Sequence, residues 1–216
     1  MKFIFSFGII LFFFASCGGD QKPAGDSLQA RPTPKDSVKE AFSDLPPPSD
    51  IRQFKWFYSF FVKTITTKNE DSLFRFEKFI HPELGLYIIE ANGAVPYFRN
   101  VRNMKDFKTL EGNSFFTISR DDMICDPLNE ELPKVDCDSK DLYNKTGCFT
   151  QESNPLKDDQ PWQFSHLSPE EEKKVEKAAA GVTRTVINTK NYRYYFSLID
   201  GSWYVTFIDM RRPCSA

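Results

Sequence analysis

The stretch from Thr183 to Met210 does most to constrain the fold of this chain. It holds three segments rich in β-branched and aromatic residues: Thr183–Ile187, Tyr192–Ile199 and Ser202–Met210. Only Asp200-Gly201 separates the last two. That pair suits a two-residue type I′ turn, so the two segments form a hairpin. Simple apolar/polar alternation is missing from both. Taken at a period of two, Trp203, Val205 and Phe207 face one way and Tyr204, Thr206 and Ile208 the other. A sheet with one wet face alternates more cleanly. This sheet is therefore expected to be covered on both faces, by helices on one side and by a cavity or loop on the other.

Upstream, Ser168-Pro169-Glu170-Glu171 opens a helix that runs to Ala180. Ser168 is its cap, Pro169 its first position, and Glu171 completes a capping box; Gly181 closes it. Residues 50–67 read as an amphipathic helix. Ile51, Phe54, Phe57, Tyr58, Phe61, Val62 and Ile65 share its apolar face, Arg52, Gln53, Ser59 and Lys63 lie elsewhere, and Ser49 or Asp50 caps it. A second helix fits residues 71–80, with Leu73, Phe76 and Ile80 on one face and Pro82 as its stop. Leu86–Ile89 and Val95–Val101 flank Asn92-Gly93, a hairpin signal, and Pro96 marks the second strand as an edge. Phe115–Ile118 adds a further strand. Residues 121–165 read as one long irregular region, acidic and holding three cysteines. Such a length inside a domain is usually functional or flexible.

Helices first and a curved antiparallel sheet last resembles the NTF2-like cone fold, over about residues 50–210. The resemblance rests on element order, and the long cysteine region is not part of the usual pattern. It implies an α+β domain with N-terminal helices packed on a curved antiparallel sheet. It also implies a cone cavity in which acids and tyrosines are placed, with Tyr194, Trp203 and Asp209 as candidate lining residues. Against that stands the ordinary fate of large aromatics, which is the core, and the closeness of Arg211 and Arg212 as ion-pair partners for Asp209. His81, before Pro82, is read as capping a helix end, with a base in a pocket as the alternative.

The N-terminus has a separate logic. Lys2 precedes an almost wholly apolar run from Phe3 to Ser16, 14 residues long. A spanning helix needs about 20. A charged start, an apolar middle and small residues make a secretory signal. Phe14-Ala15-Ser16-Cys17 resembles the bacterial lipobox, with Phe14 where a Leu-like residue is usual. The resemblance implies a lipid-modified Cys17, cleavage before it, and durable attachment to a membrane. Residues 1–16 are then the signal peptide. Residues 17–48 form a flexible linker, with Pro23, Pro32, Pro34 and Pro46-Pro47-Pro48 among polar residues. Its 31 residues after the cysteine reach about 30 Å on average. Residues 49–216 form a single α+β domain. Within the linker, Asp26-Ser27-Leu28 and Asp36-Ser37-Val38 resemble O-glycosylation sites of exported Bacteroidetes-type proteins, which implies Ser27 and Ser37 as acceptors; Asp71-Ser72-Leu73 matches too. Cys17 is followed by Gly18, not by the aspartate linked to inner-membrane retention, which points to the outer membrane.

Four further cysteines, Cys125, Cys137, Cys148 and Cys214, are an even set in an exported chain, and so are expected to form disulfides in one of three pairings. No C-x-x-C occurs, and the two histidines, His81 and His166, are not at zinc-ligand spacing. No metal and no cofactor are expected. The run Asp136–Asp141 begins like a calcium loop, but Lys140 and Asp141 occupy positions that need an oxygen ligand and a glycine. G-x-S-x-G, P-loop, dinucleotide and H-E-x-x-H signatures do not occur. The net charge of −2 argues against nucleic acid as a partner. The expectation is a lipid-anchored envelope lipoprotein whose domain binds a small ligand or another envelope protein without catalysis. The alternative is an NTF2-like isomerase or hydrolase with an acid–base pair in the cone; a structural component without a ligand is the third reading.

Overall fold

The computed structural model describes residues 49–67, 75–105, 107–113, 122 and 124–214. The expected signal segment (1–16), Cys17, the expected linker with Ser27 and Ser37, the Asp71-Ser72-Leu73 motif and the strand expected at 115–118 lie outside them. Among the described residues no helix is long and apolar enough to cross a membrane.

Helix α1 spans Ile51–Thr66. Asp50 caps it, accepting the Arg52 N–H at 2.7 Å. Its buried residues, Phe54, Tyr58, Phe61, Val62 and Ile65, recur every three or four positions and so form one stripe. Of the helix expected at 71–80, residues 71–74 lie outside the described ones; Arg75 and Phe76 are helical and lead into a 3-10 turn, Glu77–Phe79, that ends before the buried Ile80. Strands β1 (Leu86–Asn92) and β2 (Val95–Val101) form the expected hairpin. Next come β3 (Leu128–Asn129), β4 (Cys148–Gln151), helix α2 (Pro155–Asp159) and a second 3-10 turn (Pro161–Phe164). Helix α3 (Pro169–Ala180) is followed by β5 (Arg184–Asn188), β6 (Arg193–Ile199) and β7 (Ser202–Asp209).

The strands make one seven-stranded sheet in the order β2-β1-β7-β6-β5-β4-β3. The expectation of an antiparallel sheet needs correction. β7 runs antiparallel to β6 but parallel to β1, and β3 runs parallel to β4, so the sheet is mixed. β2 is an edge, as Pro96 implied. Asp200 and Gly201 both have positive φ, at 48° and 77°, as a type I′ turn requires.

Helices cover both faces of the sheet. Under α1 lie Ile88, Val186, Tyr194, Phe196, Val205 and Ile208. Under α2, the second 3-10 turn and α3 lie Tyr87, Ile89, Phe98, Tyr195 and Phe207. The opposite face is thus closed by helices, where a cavity or loop was expected. The facing of β7 is also corrected. Tyr195 pairs with Phe207 while Phe196 pairs with Val205, so Thr206 is an extra residue in β7. This bulge shifts the parity of the strand. Val205 and Ile208 therefore share the α1 face, and Phe207 turns to the other.

Residues 121–165 are not irregular throughout. β4 sits between β3 and β5, with Cys148, Phe149 and Thr150 all buried. A four-residue strand buried on both sides shows no alternation, which hides it from a periodic reading. α2 has an Asn154 cap and Pro155 in its first turn, a signal the sequence did carry.

The capping box of α3 forms as expected: the Glu171 N–H reaches Ser168 Oγ and the Ser168 N–H reaches Glu171 Oε2. Ser168→Ala is expected to cost about 1 kcal/mol, read as a shift of the urea midpoint; no shift would show that the cap contributes nothing here.

Candidate functional site

The residues considered for a cone cavity are used for packing and pairing. Tyr194 is buried under α1 with its ring edge-to-face on Phe61, centroids 5.6 Å apart, and burial pushes its phenol well above the ordinary value. Trp203 is partly buried and packs edge-to-face on Phe54 at 4.9 Å. Asp209 is 0% exposed. Its carboxylate accepts from Arg211 Nε at 2.9 Å and Nη2 at 2.8 Å, and from the Arg211 N–H at 3.1 Å. Arg193 Nη2, from the neighbouring strand, lies 2.9 Å away. Arg211 was an expected partner; Arg193 was not, because their pairing depends on the β6–β7 register. Nothing in this arrangement pairs an accessible acid with a base.

His81 is a turn-former. Its Nδ1 accepts the N–H groups of Glu83 and Leu84 at 3.2 and 3.3 Å, and its ring edge rests on Tyr204. The turn ends at Gly85, whose φ of +73° and closeness to Asn100 leave no room for a side chain.

The four domain cysteines pair as Cys125–Cys148 and Cys137–Cys214. The first bridge joins the segment before β3 to the core. Tyr58 Oη of α1 lies 3.4 Å from its Cys125 Sγ. The second ties the C-terminus to the loop before β4. Among the described residues no group of three or more His, Cys, Asp or Glu is placed to hold a metal ion.

Two of the open surfaces among the described residues carry aromatic side chains. One is a groove of about 230 Å³ along the outer strand, lined by Val95, Pro96, Tyr97, Phe98, His166 and Leu167. Tyr97 is 44% exposed, and Phe164, just before the groove's Ser165, is 69% exposed. The loop after β2 is held firmly beside it. Buried Glu90 pairs with Arg99 and accepts the Leu110 N–H at 2.8 Å, while Arg99 covers the Phe107 ring at 4.7 Å. The other is a cleft of about 500 Å³ beside α1, lined by Phe60, Lys63, Thr64, Arg75 and Lys78 among others. Neither was read from the sequence. Trp56, Phe60 and Lys63 do recur at helical spacing opposite the buried stripe, and that was the available signal.

Comparison with protein-family models, curated proteins and solved structures returns no match.

Proposed function

We propose that this chain is a lipoprotein of the bacterial outer membrane, held by lipid on Cys17, whose domain binds an envelope protein and catalyses no reaction. The observation that carries the binding reading is the groove at the β2 edge. Its volume is below the range of about 300–1,000 Å³ typical of small-molecule pockets. An edge strand with no outer partner among the described strands, beside exposed aromatics, fits an extended protein segment better, with strand addition on one side and side-chain pockets on the other. Pro96 removes one backbone donor from that edge, so side chains carry more of the recognition. The Tyr194 and Asp209 environments weigh against the isomerase or hydrolase alternative. The likeness to an NTF2-like cone stays within this proposal, supported by α1 preceding the sheet and packing on one face of it; α3 on the other face is a departure from helices first.

Two measurements test the two halves. Palmitate labelling of the intact chain is expected, with complete loss in Cys17→Ala; label retained in that variant removes the anchor. Tyr97→Asp and Phe164→Asp are expected each to weaken capture of a cross-linked envelope partner by about tenfold or more, as for an interface anchor. Their unfolding midpoints should stay unchanged because both side chains are exposed. Undiminished capture in both variants would remove the groove from the function.

A further inference from the structure

We propose that the outer face of α1 seats the domain on an anionic phospholipid surface. The proposal rests on the lipid-anchor reading above and names a second contact between domain and membrane. Three observations meet on this face. First, Trp56 is 69% exposed and Phe60 44%, and their rings pack edge-to-face with centroids 4.6 Å apart. A large aromatic pair held out in water on a helix is costly for a free domain, and Trp is at home at the level of lipid headgroups. Second, Lys63 follows one turn after Phe60, with Arg75 and Lys78 across the adjoining cleft. No carboxylate among the described residues forms an ion pair with these three, whereas Lys55, further back on α1, is paired with Asp126. The chain as a whole is acidic, at −2, so these cations are a local feature and not a general attraction. Third, α1 begins at Ile51, two residues after the described chain starts. A tether on Cys17 therefore enters the domain at this helix, and Trp56 lies only about 8 Å along its axis from that point.

Exposed aromatics beside cations that have no carboxylate partner among the described residues are the makeup of a face that lies in a membrane interface. Each basic residue near an anionic surface is expected to raise partitioning about fivefold. The attraction is screened by salt.

The test uses the intact lipidated chain in vesicles of phosphatidylcholine, with and without phosphatidylglycerol, carrying brominated lipids that quench nearby tryptophan. The expected result is quenching in the anionic vesicles that falls at high salt. It is absent in Trp56→Phe, and falls at least about tenfold in affinity in Lys63→Glu/Lys78→Glu. Retained unfolding midpoints show that these exposed substitutions leave the fold intact. Palmitate labelling with Trp56 unquenched in both vesicles overturns the docking face and leaves the anchor standing. Failure of labelling, with the unlipidated chain still floating on anionic vesicles only, overturns the anchor and supports the face. Quenching equal in neutral and anionic vesicles overturns the role of the cations. Self-association that hides Trp56 and is broken by Phe60→Glu makes the face a contact between copies and overturns the proposal.

Discussion

Asp209→Ala is expected to destabilise the domain by about 3–5 kcal/mol, the cost of leaving a buried charge without its partner. Asp209 has no solvent exposure and receives both Arg193 and Arg211. Without the carboxylate, Arg193 remains largely buried between strands and loses its ion-pair partner, because β6 fixes its position opposite residue 209. Arg211, at the end of β7, can swing to water and loses less. The loss should therefore trace to Arg193. The double variant Arg193→Met/Asp209→Leu removes both charges at similar volume, and is expected to recover most of the stability, since apolar replacement of a buried pair is often near neutral. Urea denaturation of the oxidised protein measures both. A loss under 1 kcal/mol in the single variant, or no recovery in the double, would show that the cluster does not hold the β6–β7 register.

The second large effect concerns the bridges. Cys137 and Cys214 are 77 positions apart, and Cys125 and Cys148 are 23 apart. In the loop-closure picture the first bridge raises the free energy of the unfolded chain by about 4.5 kcal/mol and the second by about 3.4. Cys137→Ser/Cys214→Ser is expected to lose more stability than Cys125→Ser/Cys148→Ser on that ground. The shorter bridge has an opposing claim, because Cys148 is buried in the core beneath α1, and its removal also leaves a gap beside Tyr58. Unfolding midpoints of the two double variants decide between these contributions. A larger loss from the shorter bridge would mean that packing outweighs chain entropy in this domain.

Local chemistry was legible in the sequence and long-range pairing was not. The Ser168 cap, the Asp200-Gly201 turn and the Pro96 edge each depend on a few neighbouring atoms, so each could be read in place; the first hairpin was read too, but Asn92 pairs with Val95 and the turn falls at Gly93-Ala94, one residue later than expected. The buried stripe of α1 was equally plain, since it depends only on a helical period. The Thr206 bulge was hidden, because one extra residue in β7 has meaning only against β6. The parallel β1–β7 pairing joins residues more than a hundred positions apart and leaves no local mark. The cysteines could be recognised as staples, but their pairing waits on which loops the sheet brings together. As to the candidate surfaces, Trp56 and Phe60 stood at the right spacing, yet a sequence does not tell an exposed aromatic from a buried one. The groove at β2 is assembled from two segments nearly seventy residues apart and had no signal at all.

The position of β7 governs when this domain is able to fold. It is the last of the described strands in sequence, yet it lies between β1 and β6, near the middle of the sheet. Until residue 209 is free, the β1–β2 hairpin has nothing to join, and an isolated hairpin is marginal in water. A nascent chain therefore carries its first half unfinished, with its apolar stripes open to chaperones, until β7 is made. Contacts so distant along the chain also predict slow closure. If the chain is exported as proposed above, that delay would be useful: the sheet remains incomplete for as long as β7 is held back.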